Sequence, residues 1–201
     1  MNRVINWFGV AAGITTLLVV VVSLFVPWWQ LTVGEDLVQV NASPVNTNFG
    51  LFGTPFTVPL IWALNLVSIL TLVASGSIML LYSVVPTKSY AKELLGFSYK
   101  KPLYVLVAFL ASLVALMSIA GALGLNLQLM GTANVSLPAN FTSGANISAS
   151  VSAVFLFPFW LAIAAAVLCI GARLYHRRVV AQKTDSTAPS ESNQNLTAST
   201  S

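Results

Sequence analysis

Few side chains in this sequence are equipped for chemistry. His176 is the only histidine and Cys169 the only cysteine. One imidazole and one thiol supply neither the ligands of a zinc site nor the axial pair of a bis-histidine haem. Cys169 has no histidine or base in a position that would turn it into a nucleophile, and alone it closes no internal disulfide. Glu35 and Asp36 are adjacent acids at an expected turn; calcium takes six to eight oxygens, and no further acidic ligands flank them. The sequence therefore predicts no catalytic residues, no metal and no cofactor.

The remaining charges describe a membrane protein. Only 7% of the 201 residues are charged and 57% are hydrophobic, against roughly 25% charged in an average soluble domain. No charged residue lies between Arg3 and Glu35, between Asp36 and Lys88, or between Lys101 and Arg173. Proton pumps and ion-coupled transporters need an ionisable group inside the bilayer, which these stretches do not offer. The net charge of +4 does not signal nucleic acid, because the cations sit beside the ends of apolar runs and form no dense basic face with stacking aromatics.

Four apolar runs predict four membrane-spanning helices, over about 4–26, 59–85, 102–125 and 152–172, each near the roughly 20 residues that a bilayer crossing requires. Pro27 and Pro86 end the first two runs. Pro102 opens the third at a first-turn position, where a missing N–H does no harm. The first run is too long for a cleaved signal peptide and has no small-x-small cleavage site before Pro27. The expected fold is an all-α membrane protein, a four-helix bundle spanning residues 1–181, with a disordered cytoplasmic tail at 182–201. That tail is rich in Ser, Thr, Asn and Gln and has too little apolar surface to fold.

All nine Lys and Arg lie in the N-terminal segment, the connection 86–101 and the segment from Arg173 onward; segments 27–58 and 126–151 hold none. Cations gather on the cytoplasmic side. Both termini are therefore expected inside, at the plasma membrane, with two longer loops outside. In the first of these, Trp29–Val33 and Leu37–Val40 flank Gly34-Glu35-Asp36 and predict a small hairpin or sheet. The second, 131–150, is expected to be flexible. It contains the glycan acceptor tripeptides beginning at Asn134, Asn140 and Asn146. Asn41-Ala42-Ser43 is a fourth match, weakened by Pro44.

Gly9 and Gly13 form a small-x-x-x-small face for helix packing. Lys100, Lys101, Arg173, Arg177 and Arg178 form a basic collar able to attract anionic lipid. Asn65 and the hydroxyls of the second span are candidates for interhelical hydrogen bonds or, less simply, a polar pathway.

A first helix ending in Trp28-Trp29, a strand-like segment and then Gly50-Leu51-Phe52 before the second helix resembles the Trp…Gly-Leu-Trp signature of the claudin-like superfamily. Trp29 takes the place of the family's first tryptophan, Gly50 and Leu51 that of its Gly-Leu pair, and Phe52 stands where a tryptophan is expected. The two loop cysteines of that family are missing, and the loop is shorter and almost uncharged, so a charge-selective pore is not implied. The resemblance implies an outer sheet ordered by Trp28, Trp29, Gly50, Leu51 and Phe52 on a four-helix bundle. It also implies lateral association with itself or other membrane proteins. The sequon-rich, charge-poor composition also resembles small surface proteins of archaea from hot acidic habitats. The expected function is a non-enzymatic structural or adhesion role. The alternatives are an accessory subunit of a larger membrane complex, or a small channel or transporter for a neutral solute.

Overall fold

Apolar residues fill the helices on all sides, so packing and chain breakers set the element boundaries. The computed structural model describes residues 5–34, 37–86, 90–122, 127–136 and 148–185. The chain runs α1 (Trp7–Ser23), β1 (Trp29–Val33), β2 (Val38–Ala42), β3 (Asn48–Leu51), β4 (Thr54–Phe56), α2 (Pro59–Val84), α3 (Ala91–Ala122), β5 (Gly131–Ser136), β6 (Ser148–Phe155) and α4 (Phe157–Asp185). Segments of α2, α3 and α4 are long and apolar enough to cross a membrane. α1 has 17 residues, about 26 Å at the helical rise. A further turn carries the chain to Val26, whose N–H donates to the Val22 carbonyl at 3.0 Å, and Pro27 stops it.

The flanks of α2 leave Trp62 60%, Leu70 62% and Leu81 63% exposed. Such surface is costly in water and ordinary against hydrocarbon.

α3 differs from its expected start. It begins at Ala91, and Pro102 lies inside it, because the polar stretch Lys92–Lys101 packs helically against its neighbours through Leu95 and Ser98. Proline cannot donate to the carbonyl four residues earlier. That carbonyl belongs to Ser98, and it accepts instead from the Ser75 hydroxyl of α2 at 2.6 Å. A neighbouring helix thus satisfies the group that the proline frees.

Two further boundaries move. The expected fourth span began at Ser152, but 148–155 form a strand, with Val151, Ala153 and Phe155 facing the core in alternation with Ser150 and Ser152. Period-2 alternation of that kind marks a half-buried strand, and α4 starts only at Phe157. At its other end α4 continues to Asp185. The first residues of the expected disordered tail are therefore helical, and the rest of that tail lies outside the described residues.

The small hairpin expected in the first loop is part of a six-stranded antiparallel sheet in the order β4-β3-β2-β1-β6-β5. The second loop supplies β5 and β6 where a flexible segment was expected. β1 is central, its register pairing Leu31 with Val40 on one side and with Ala153 on the other. Trp29, Leu31, Val40, Ala42, Val151 and Ala153 point inward and join Leu106, Phe109 and Leu113 of α3 and Phe159 and Ala162 of α4 in one core. Gln30, Thr32, Gln39, Ser150 and Ser152 alternate with them, giving the polar outer face of a sheet covered on one side.

Candidate functional site

Two tryptophans seat the sheet on the helices. Trp28 is 1% exposed; its indole N–H donates to the Ser23 hydroxyl at 2.6 Å, and that hydroxyl in turn donates to the Val19 carbonyl at 2.5 Å. Its ring meets Phe109 edge-on at 5.1 Å between centroids, a favourable quadrupolar arrangement. Along the backbone, the Trp28 N–H donates to the Ala42 carbonyl while its own carbonyl accepts from Leu156. Trp29 is wholly buried, and its indole N–H donates to the Leu129 carbonyl at 2.8 Å. Adjacent residues therefore anchor the first loop to α1, α3 and α4 and tie it to the segment leading into β5.

Gly50, Leu51 and Phe52 lie at the far edge of this assembly. Gly50 is paired with Gln39 on β2 and with Pro55 on β4. Leu51 pairs with Thr54, so Phe52 and Gly53 alone form the connection. Their φ values are +51° and +75°, and a two-residue loop with both central φ positive is the type I′ arrangement, which favours Asn-Gly. A bulky aromatic with positive φ is a backbone outlier. Phe52 nevertheless sits there 74% exposed, beside Leu51 at 44% and Phe56 at 49%. Pro55 on β4 removes a ladder donor at this edge, a common guard against strand addition.

At the opposite end of the helices, Asn6 forms a buried polar knot that the sequence analysis did not single out. It caps α1, accepting the Gly9 N–H on Oδ1 at 3.1 Å. Its Nδ2 donates to the Tyr82 hydroxyl at 3.0 Å and to the Ala172 carbonyl at 3.1 Å. One fully buried side chain thus joins α1, α2 and α4. The available signal was an N-cap residue directly before an apolar run.

Gly9 and Gly13 face α2. A Cβ on Gly9 would collide with the Ser83 hydroxyl, and one on Gly13 would stand 2.7 Å from Leu80 Cδ2 and 3.0 Å from the Gly76 carbonyl. The Leu80 side chain can move aside; the Gly76 backbone cannot. Gly13→Leu should therefore lower stability by about 1–3 kcal/mol, read as a lower midpoint of thermal unfolding in detergent. Gly53→Ala, which meets no atom within 4 Å, should leave the seam between α1 and α2 untouched.

Asn65, Ser68, Thr71 and Ser112 line a cleft of about 540 Å³ between α2 and α3, roofed by β2 and β3, with Lys101, Tyr104 and Thr47 among its mainly apolar walls. Asn134 is exposed on the edge strand β5. Asn140 and Asn146 lie outside the described residues. Asn41 belongs to the interior strand β2, with a buried amide oxygen that no donor reaches.

The chain matches no protein-family model and no curated protein. The site must therefore be read from its own geometry. Among the described residues, no three His, Cys, Asp or Glu side chains come close enough to hold a metal, and Cys169 is buried 1% exposed in a helical interface. The arrangement presents a sheet anchored by Trp28 and Trp29 whose hairpin tip carries a largely exposed aromatic.

Proposed function

We propose that this chain is a non-enzymatic integral membrane protein that acts by association through its outer sheet. In this reading α1 joins the other three helices in crossing the bilayer, both termini are cytoplasmic, and the sheet stands outside the plasma membrane. Support for the orientation comes from the cations, all of which lie away from the sheet-forming loops. Support for the absence of chemistry comes from the charge-free spans. The plan is claudin-like, with Trp28 and Trp29 as anchors and Gly50, Leu51 and Phe52 in the contact element. Asn134 offers an exposed acceptor for a glycan. An accessory role in a larger complex uses the same surface with a dissimilar partner.

The observation that carries this proposal is the hairpin tip. A large aromatic in left-handed backbone is a local cost that an isolated fold does not repay, whereas a contact with another molecule does. Glycine at the same position suits the turn without strain and, unlike asparagine, creates no glycan acceptor before Thr54. Phe52→Gly should therefore preserve or slightly raise thermal stability while abolishing assembly. Purification from the native membrane in mild detergent, followed by size and subunit identification, reads this out. Recovery of the wild type as a monomer with no companion contradicts the proposal. Dissimilar stoichiometric subunits select the accessory role, and copies of itself select self-association.

The cleft between α2 and α3 favours a second reading, passage of a small neutral solute past Asn65, Ser68 and Thr71. Flux into proteoliposomes equal to that of empty vesicles would dispose of it.

A further inference from the structure

At the end of the bundle away from the sheet, α3 and α4 both line a pocket of about 540 Å³, within the range of small-ligand sites. α3 contributes Lys92, Tyr99 and Lys100, and α4 contributes Arg173, His176 and Arg177. The spacing follows from helix geometry: positions 92, 99 and 100 share one face, as do 173, 176 and 177. Gly96 lies in the same wall, and a Cβ there would meet nothing within 4 Å, so the face is open over it. Among the described residues, no carboxylate lines the pocket. The Arg173 guanidinium lies 4.2 Å from the centre of the Tyr99 ring, a contact that aims the cation while leaving its charge uncompensated.

We propose that this pocket binds a phosphate group, as the headgroup of an anionic lipid or as free phosphate. Four fixed cations converging on one cavity repel one another, and an anion bearing several acceptor oxygens relieves that repulsion. Guanidinium groups suit phosphate oxygens by charge and by geometry. Orientation in the membrane calls for cations near a helix end, and it does not call for them to converge from two helices. Lys101 and Arg178 make the difference visible. Both are placed as well as their neighbours for orientation, yet both lie outside the pocket, and Lys101 sits 5.1 Å from the Phe97 ring. This inference is independent of association at the outer sheet.

The test uses the full chain in detergent, titrated with phosphatidic acid, phosphatidylcholine or inorganic phosphate and read by native mass spectrometry. One phosphatidic acid should be retained in preference to phosphatidylcholine. Lys100→Gln with Arg177→Gln, both at exposed positions, should weaken retention by about tenfold or more, whereas Lys101→Gln with Arg178→Gln should change it by less than about threefold. Unchanged thermal midpoints establish that both pairs fold. Inorganic phosphate that displaces the lipid, or that binds with the same dependence on Lys100 and Arg177 while the lipid is not retained, supports the site and identifies free phosphate as a ligand. Phosphatidic acid held without competition from inorganic phosphate supports a lipid site. Equal losses from both pairs of substitutions, or neither phosphatidic acid nor inorganic phosphate bound above the phosphatidylcholine level, overturns the proposal.

Discussion

Trp29→Ala should loosen the six-stranded sheet and lower the stability of the protein by about 3–5 kcal/mol, the usual cost of removing a fully buried tryptophan. The indole is completely enclosed and lies in the core formed by β1, β2, β6, α3 and α4. Its truncation leaves a cavity between sheet and helices and strips the Leu129 carbonyl of its donor. Limited proteolysis with a broad-specificity protease provides the check: cleavage should appear in the segments before β5 and between β2 and β3 while the helices stay protected. Trp28→Phe should be much milder, since a ring remains against Phe109 and Ser23 keeps its own acceptor in Val19. Equal stability of Trp29→Ala and wild type would mean that the sheet is held by something other than this anchor.

The second large effect is expected at Asn6. Asn6→Ala removes a helix cap, typically worth about 1 kcal/mol, and two interhelical hydrogen bonds, which average roughly 0.6 kcal/mol each in membrane proteins. It also leaves the Tyr82 hydroxyl without its buried partner. A total loss of about 2–3 kcal/mol follows from these contributions. Asn6→Ser separates the parts: serine still caps α1 but cannot reach both Tyr82 and Ala172, so about half of the loss should be recovered. Thermal unfolding of the three proteins in one detergent measures the series. A serine variant no better than alanine would assign the whole effect to the bridge between helices.

The helices were legible because a bilayer demands long apolar runs. α2 follows its run closely, from Pro59 to Val84. The sheet was only half legible. β1 and β2 carry strong alternation around Gly34, whereas β5 mixes Thr132 and Val135 with Gly131, Ala133 and Asn134, residues of weak strand preference, and pairs because β6 offers a ladder. β6 was hidden because Val151 to Leu156 reads as the start of the apolar run of α4, and a short apolar segment does not distinguish strand from helix. Pro102 misled for a related reason: its tolerance inside α3 depends on Ser75, 27 residues earlier and on another helix. At the site, the sequence pointed to Phe52 through its neighbours Gly50 and Leu51. Its left-handed backbone and exposure arise from the pairing of Leu51 with Thr54, which no local pattern reveals. The basic collar was visible as a set of charges, but which cations converge is decided by the packing of α3 against α4.

Crosslinking in intact cells tests the association reading most directly. Cys169 is buried, so Thr54→Cys, exposed beside the hairpin tip, introduces one reactive thiol. A membrane-impermeant crosslinker that joins a thiol to amines, together with a two-thiol reagent, should convert the chain to a discrete species of higher mass. Adding Phe52→Gly should abolish that species while Thr54→Cys still reacts with an impermeant maleimide. A thiol that reacts only after the cells are opened, or that reacts from outside yet leaves the chain a monomer with both reagents, would contradict the account.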